Sequence, residues 1–159
     1  MRCRRANKRS KKIKQSEKKG NFMIEQLSVF LENENGRLGA LTQKLAEANI
    51  NMYALSIADT TDYGVVRIIC DDPKKALEVL KENNFRAACT EVCVIGLPNK
   101  PGSLAKIFVA LDEKGASIEY SYCFSAHSDT ATVAIKANNE AYDVLKEAGF
   151  NILSQKDLA

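Results

Sequence analysis

Two short turns hold the side chains that are best suited to bind a small charged molecule. Each turn has a glycine between an apolar run and an amphipathic segment, where glycine allows a tight bend or the close approach of a ligand. The helix that follows offers unpartnered N–H groups and a positive dipole end, which favour a carboxylate or phosphate. The candidate ligand-binding residues are Asn35, Gly36, Arg37 and Leu38 in the first turn, and Asn99, Pro101, Gly102, Ser103 and Leu104 in the second.

The chemistry of these turns suits a free α-amino acid. Its carboxylate would accept hydrogen bonds from the backbone at a helix start, and Arg37 would add a positive charge. Its ammonium needs acceptors, which the amide oxygens of Asn35 and Asn99 or the carboxylate of Asp59 provide. The wall against the ligand's side chain would come from Leu38, Leu104 or three tyrosines of the following strands, Tyr53, Tyr120 and Tyr122.

A purely structural role stays open for each of these residues. Asn35 and Asn99 are also suitable helix caps, and Asp59 also suits an ordinary hairpin turn. Arg37 is equally suited to a solvated surface. The two tyrosines of the later strand share one face, a pattern that is typical of a core or an interface.

Two runs of secondary structure with the same order position the turns. From residue 24 to about residue 90, the apolar pattern predicts strand, helix, strand, strand, helix and strand. The last strand of this run covers residues 85–90. A separate strand over residues 92–97 begins a second run of the same order, which ends near residue 154.

An offset of 66 residues superposes the two runs. It places Gly36 on Gly102 and Leu38 on Leu104, and after the second hairpin an offset of 65 places Phe85 on Phe150. Apolar core residues fall at equivalent alternating positions in both runs, which indicates an internal duplication. A half of about 65 residues is marginal for independent folding, so we expect the halves to pack directly on each other.

The charge of the chain is divided unevenly. Residues 1–22 contain ten Lys or Arg and one acid, a net charge of +9, whereas the remainder holds 13 basic and 19 acidic residues, a net charge of −6. The first segment has too few apolar residues to form a core and lacks the apolar stretch of a signal peptide. We interpret it as a basic disordered extension. It is a functionless tail, an upstream extension of a protein that begins at Met23, or an arm for nucleic acid or a membrane surface.

Composition and motifs argue against several other classes. A hydrophobic share of 45% is typical of a soluble globular protein, and no apolar run reaches the roughly 18 residues of a membrane-spanning helix. The five cysteines form no CxxC pair and four lie in apolar runs, which predicts buried free thiols and a reducing cytoplasm. The only histidine, His127, lies in a hairpin, and no nucleophile elbow, P-loop or HExxH motif is present. We predict no catalytic residue, metal or cofactor.

The duplicated order and its glycine turns resemble the ACT domain. The turn from Asn99 to Leu104 is close to that family's usual N/D-x-x-G-x-L pattern, whereas the first turn has Asn35 where proline is usual. Residues 24–154 look like the small tandem-ACT proteins of bacteria. The resemblance implies an α+β fold of two ferredoxin-like βαββαβ units in tandem, with antiparallel sheets and helices on one face. It also implies an amino acid bound at the glycine turn.

We interpret the chain as an extension over residues 1–22, a first ACT unit over residues 23–90 and a second over residues 91–159. The leading hypothesis is a cytoplasmic regulatory protein that binds a free amino acid, acts as a homodimer and has no attached catalytic domain. One alternative is a ligand-free interaction or regulatory subunit of a separate amino-acid biosynthetic enzyme. Another is an RNA-binding protein that uses the basic tail, although the body lacks the aromatic, basic sheet motif of such proteins. The identity of the amino acid stays open.

Overall fold

The computed structural model describes residues 23–59, 63–126 and 129–158. The first half contains strand β1 (Met23–Glu32), helix α1 (Arg37–Glu47), strands β2 (Met52–Asp59) and β3 (Tyr63–Cys70), helix α2 (Pro73–Glu82) and the start of strand β4 (Arg86–Pro98). The second half continues with helix α3 (Ser103–Glu113), strands β5 (Ile118–Ala126) and β6 (Thr130–Ala137), helix α4 (Asn139–Glu147), strand β7 (Asn151–Leu153) and a closing 3-10 helix (Gln155–Leu158). The predicted βαββαβ order is therefore confirmed in both halves.

The strands of the described residues form one antiparallel sheet in the order β2-β3-β1-β4-β6-β5, with β7 also paired to β4. Strand β1 lies inside the first half, where it pairs with β3 on one edge and β4 on the other. Strand β4 pairs with β1 along its first part and with β6 and β7 along its last part. The two halves therefore share one sheet.

Strand β4 corrects one detail of the sequence prediction. We expected two strands, over residues 85–90 and 92–97, but the structure has one strand from Arg86 to Pro98. Residues 90 and 91 stay extended because both pair across to β1, with Thr90 opposite Gln26 and Glu91 opposite Glu25. A continuous strand keeps the alternation of its side chains in phase, so the same side of the sheet faces the helices in both halves.

Each half has its own apolar core between the sheet and its two helices. Leu27, Leu45, Ile68 and Leu80 are fully buried in the first core. The second core repeats this arrangement with Ile95, Ile107, Ile135 and Leu145. These residues follow the period of two in the strands and the spacings of three and four in the helices that the sequence predicts. Helices on one face of the sheet are thus confirmed.

The ends of the helices follow local signals in the sequence. Asp72 caps α2, because its side chain accepts a hydrogen bond of 3.0 Å from the Lys75 N–H, and Pro73 occupies the first turn. Asn49 after α1 and Asn84 after α2 adopt the left-handed conformation, with φ of 56° and 62°. Such residues end a helix and turn the chain back toward the next strand.

The opposite face of the sheet is also partly covered. A third cluster joins Ile24, Ile69, Val92 and Ala134 with partly buried tyrosines of both halves. The sheet curls so that its outer strands β2 and β5 approach each other on this side. The closing 3-10 helix adds a hydrogen bond of 2.6 Å from Gln155 Nε2 to the carbonyl of Cys70. This cluster makes the two halves one packed body.

Candidate functional site

The two glycine turns have nearly the same backbone. Gly36 has φ 84° and ψ −12°, and Gly102 has φ 85° and ψ −10°. These angles are in the left-handed region, which costs other residues about 1–2 kcal/mol. Each glycine occupies the N-cap position of the helix that follows, α1 or α3. A Cβ at either position would meet no atom within 4 Å, so crowding by neighbours does not explain the glycine. The positive φ of the backbone is what requires it.

Glycine is the N-cap residue of both helices and has no side chain that could accept from the first N–H groups. Asn35 and Asn99 are therefore not the N-cap residues of α1 and α3. The first helical N–H of each helix donates to a carbonyl of its own turn, from Arg37 to Glu34 at 3.4 Å and from Ser103 to Lys100 at 3.2 Å. The N–H groups that follow in the first turn of a helix have no intrahelical acceptor and can donate to an anion.

Asn33 is the residue that sequence reasoning missed. The same hydrogen-bond pattern runs through both turns, from Glu34 N–H to the Glu32 carbonyl at 2.8 Å and from Lys100 N–H to the Pro98 carbonyl at 2.9 Å. Asn33 therefore corresponds to Asn99, and Asn35 corresponds to proline. The repeat offset of 66 already pairs Asn33 with Asn99. The pairing could have been found by applying the offset to the three residues before Gly36.

The two turns lie at opposite ends of the sheet. Strand β1 is antiparallel to β4, with Phe30 opposite Arg86 and Met23 opposite Cys93, so the first turn extends beyond one end of β4 and the second follows the other end. Residues 86 and 98 are separated by twelve steps of about 3.3 Å, or roughly 40 Å. Within one chain, the turns therefore cannot share a small ligand.

The first half exposes three apolar side chains on α1 and the edge strand β2. Leu38, in the first turn of α1, is 37% exposed, and Leu55 and Ile57 on β2 are 40% and 49% exposed. Leu55 and Ile57 pair with Ile68 and Val66, which belong to the core beneath the helices. Leu38, Leu55 and Ile57 therefore all lie on the helix side of the sheet.

The hairpin between β2 and β3 reaches the same end of the sheet. Both Leu31 of β1 and Asp59 of β2 pair with Gly64. The backbone of Asp59 therefore lies two strands from the start of the first turn, a lateral distance of about 10 Å. The structure brings Asp59 to the first turn and away from the second.

Arg37 is held by two neighbours. Its Nε lies 3.6 Å from Glu32 Oε2, and its guanidinium carbon lies 5.2 Å from the centre of the Phe85 ring. The Nε is enclosed without a hydrogen-bond acceptor among the described residues, since 3.6 Å is an ion-pair distance rather than a hydrogen bond. Arg37 is thus packed against the protein rather than freely solvated.

The second turn has more polar neighbours. Leu104 is partly buried against the second core, unlike its exposed counterpart Leu38. The positions equivalent to Leu55 and Ile57 are Ser121 and Cys123, which are exposed and pair with core residues of β6. The Asn99 N–H donates to the Asp129 carbonyl at 3.0 Å, which ties this turn to its hairpin.

The proposed tyrosine wall is wrong for both turns. Tyr53, Tyr120 and Tyr122 pack in the third cluster, on the sheet face opposite the helices. The cause is strand parity, because Tyr122 pairs with the buried Ala134 of that face. The interpretation of Tyr120 and Tyr122 as core residues is confirmed.

These tyrosines reveal a polar junction between the halves. Gln26 is fully buried on β1, where its Nε2 donates to Tyr120 Oη at 2.8 Å and to Ser28 Oγ at 3.2 Å. Tyr122 Oη donates to Gln26 Oε1 at 2.9 Å, and burial raises the pKa of Tyr122. The guanidinium carbon of Arg67 lies 3.9 Å from the centre of the Tyr120 ring. Gln26 of the first half therefore holds two tyrosines of the second.

The remaining chemistry-bearing residues form no second constellation. Among the described residues, no three His, Cys, Asp or Glu side chains gather as a metal site. Burial raises the pKa of Cys70 and of Cys93 to about 12, as expected for buried thiols, but the prediction of burial is wrong for Cys123, which is exposed on edge strand β5.

His127 and residues 1–22 lie outside the described residues. Over the same residues, no helix has the length and apolarity to cross a membrane.

Two βαββαβ halves on one sheet, each with a left-handed glycine before its first helix, define a tandem ferredoxin-like protein. The ACT domain pair family matches residues 22–159, and the chain belongs to that family. The crystal structure of protein BT0572 from Bacteroides thetaiotaomicron is 44% identical and superposes with a TM-score of 0.81, over 86% of this chain and 96% of that one.

More distant structures share the fold. The regulatory subunit of aspartate kinase from Thermus thermophilus, in a ligand-free form, is 18% identical with a TM-score of 0.58, over 82% of this chain and 96% of that one. The corresponding subunit from Thermus flavus is 19% identical with a TM-score of 0.56, over 78% of this chain and 91% of that one. No curated protein matches the chain.

Proposed function

We propose that this protein is a regulatory protein that binds a free amino acid at its glycine turns. The observation that carries the proposal is the pair of helix starts that have the same left-handed glycine as their N-cap residue. In ACT domains, as the resemblance implied, the glycine turn is the place where an amino acid binds. The role is regulatory rather than catalytic.

We assign the first turn to an apolar amino acid. The ligand carboxylate accepts hydrogen bonds from the first N–H groups of α1, next to Gly36. The candidate acceptors for its ammonium are Asn33 and Asp59. Its side chain lies against Leu38 and Ile57, whose exposure on this edge leaves apolar area to be covered.

The second turn suits a smaller or more polar ligand. Ser103 replaces Arg37 at the helix start, and Ser121 and Cys123 replace the apolar pair on the edge strand. Asn99 and Pro101 keep the family's usual turn, with Gly102 at the cap. Leu104 is directed partly into the core, which leaves it less area for a ligand than Leu38 has.

Regulation follows if the ligand has different affinities for two arrangements of the protein. An amino acid that binds one arrangement more tightly shifts the population toward it by that difference in affinity. The arrangements would differ in how the two halves, or the two subunits of a homodimer, pack against each other. A separate enzyme of amino-acid metabolism in the cytoplasm would bind one arrangement and be regulated by the shift in population. The Gln26 junction is the part of the structure through which one half can sense the other.

Calorimetric titration of the full chain with each standard amino acid tests the proposal. We expect heat of binding for at least one apolar amino acid, and a loss of at least about tenfold in affinity in Ile57→Asp, because a carboxylate would replace the apolar wall. Phe30→Ser is the matched control, since Phe30 is 51% exposed but lies on the opposite face of the sheet. The absence of binding by every standard amino acid at millimolar concentration would contradict the proposal.

A second candidate function is protein interaction without a small ligand. A groove of about 510 Å³ is lined by Phe30, Tyr63, Arg86, Ala87 and Ala88. Phe30 and Tyr63 are 51% and 53% exposed, which is unusual for large aromatic side chains. Co-purification with an enzyme that is lost in Phe30→Ser, together with a silent amino-acid titration, would favour this function over the first.

A further inference from the structure

Helix α3 differs from its counterpart α1 on the side that faces away from the core. Val109, in the middle of α3, is 55% exposed. It borders a groove of about 440 Å³ that is also lined by Phe108, Asp112, Ala116 and Ile118. In α1, the equivalent of Val109 is the exposed polar residue Gln43. The duplication therefore kept the buried side of this helix and changed its outer side.

The charges around Val109 are arranged symmetrically. Lys106 lies three residues before it and Asp112 three residues after it, and all three residues are on the exposed side of the helix. Neither charged side chain forms an ion pair within the described part of the chain. At 1.5 Å per residue, each charge lies about 4.5 Å along the axis from Val109, on opposite sides.

This arrangement is self-complementary. If two copies of α3 cross antiparallel with a twofold axis through Val109, Lys106 of each copy faces Asp112 of the other. Ala105, four residues before Val109, is small and allows the helices to approach to the usual 8–10 Å between axes. In α1 the positions equivalent to Lys106 and Asp112 are Ala40 and Ala46, so the same pairing is impossible there.

We propose that the outer side of α3 is the contact between two copies of this chain. Val109 lies on the twofold axis and fills the groove beside the partner helix, and two reciprocal ion pairs between Lys106 and Asp112 set the antiparallel register. The inference rests on the homodimer of the proposed function and is independent of the amino-acid site. It assigns the dimer to the second half, with α1 of the first half left outside the contact.

Sedimentation velocity of the full chain over micromolar to high-micromolar concentrations tests the interface. We expect a dimer whose dissociation constant rises by at least about tenfold in Val109→Glu, which places two carboxylates on the axis. Gln43→Glu makes the same change on α1 and is expected to leave the dimer unchanged. A monomeric wild-type chain, or a dimer that Val109→Glu does not weaken, would overturn the interface.

A charge exchange provides a test that does not depend on the axis residue. Lys106→Asp alone and Asp112→Lys alone each put like charges opposite each other and are expected to raise the dissociation constant by about tenfold. The double variant restores opposite charges and is expected to return it to within about threefold of wild type. Failure of the double variant to recover would overturn the antiparallel register.

Amino-acid titration of Val109→Glu separates this inference from the amino-acid proposal. Binding by a monomeric variant supports an interface that is separate from the ligand turns. Unchanged dimerisation in Ile57→Asp, which removes the apolar wall of the first turn, supports the same separation.

Discussion

The two glycine turns share a backbone and differ in what surrounds it. Gly36 and Gly102 agree to within a few degrees in φ and ψ, and each is the N-cap residue of the helix that follows. Beside the first turn are a packed arginine, Arg37, and an exposed isoleucine, Ile57. Beside the second are Ser103 and Cys123 at the equivalent positions. The duplicated turn thus kept its backbone geometry, while the side chains around it diverged.

The rest of the two halves shows the same contrast between a shared backbone and different surrounding side chains. Residues in the cores keep their apolar character because each contributes about 1.5–3 kcal/mol when buried. Residues at the sheet edges and on the outer helix sides lack this constraint, and here the halves differ. The junction at Gln26 is not repeated by the duplication, since one residue of the first half forms hydrogen bonds with two tyrosines of the second.

The largest expected effect would come from removing this junction. Gln26→Leu leaves the buried hydroxyls of Tyr120 and Tyr122 without their partner, which we expect to lower the free energy of unfolding by about 2–4 kcal/mol. Urea unfolding followed by circular dichroism measures this loss.

The control for this prediction replaces all three polar groups. The triple variant Gln26→Leu/Tyr120→Phe/Tyr122→Phe removes the unpaired hydroxyls, and we expect it to recover most of the lost stability. A triple variant that is no more stable than Gln26→Leu would show that the hydrogen bonds are not the cause.

The next largest effect compares the two turns directly. Gly36→Ala and Gly102→Ala each force alanine into the left-handed region, and we expect each to lower the free energy of unfolding by about 1–2 kcal/mol. The two losses should be equal to within about 0.5 kcal/mol, since the φ angles are 84° and 85° and neither Cβ meets an atom within 4 Å. Thermal or chemical unfolding checks the equality.

Gly39→Ala is the matched control for these variants. Gly39 lies within α1, where alanine is the better helix former, so this change should raise the free energy of unfolding by about 0.5–1 kcal/mol. A loss of stability in Gly39→Ala, or clearly unequal losses at the two caps, would mean that the turns are less alike than their backbones indicate.

A smaller effect distinguishes the side chains after the glycines. Arg37→Met removes the ion pair to Glu32 and the contact with the Phe85 ring, and we expect a loss of about 0.5–1.5 kcal/mol in the free energy of unfolding. Ser103→Ala at the equivalent position should change it by less than about 0.5 kcal/mol. Equal effects of the two substitutions would remove this difference between the turns.

The smallest effect concerns thiol reactivity rather than stability. In a Cys3→Ser background, we expect Cys123 to react with a thiol reagent at pH 8 in the folded protein. Cys70 and Cys93 should react only after unfolding, because burial raises the pKa of both to about 12 and leaves little thiolate. Loss of the rapid phase in Cys123→Ser checks the assignment, and rapid labelling of all the thiols would contradict it.

Most of the fold was predictable because it depends on local signals. The period of the apolar residues, the left-handed asparagines and the proline at the start of α2 each act within a few residues and specify strands, helices and their ends. The repeat offset then fixed the equivalence of the halves. The unbroken strand β4 was missed because continuity through residues 90 and 91 depends on pairing with β1, which is distant in the sequence.

The site was less predictable for the same physical reason. The glycines were identified from their position, but Asn33 required the repeat offset to be applied residue by residue. Parity counted from Ile118 places Tyr120 and Tyr122 on the helix side of β5, but the register shift between Ile118 and Tyr120 moves both tyrosines to the opposite face. Arg37 packs against Phe85, a contact between residues 48 positions apart that no local pattern indicates.

Amide spectra during a ligand titration test the central claim most directly. The full chain, labelled with ¹⁵N, is titrated with the amino acid that gives the largest heat of binding. We predict that the backbone amides of Gly36, Arg37 and Leu38 shift most, because the ligand carboxylate lies at this helix start, next to the 3.4 Å hydrogen bond from the Arg37 N–H to the Glu34 carbonyl. Shifts confined to the groove at Phe30, or no shift at either helix start, would contradict binding at the glycine turns.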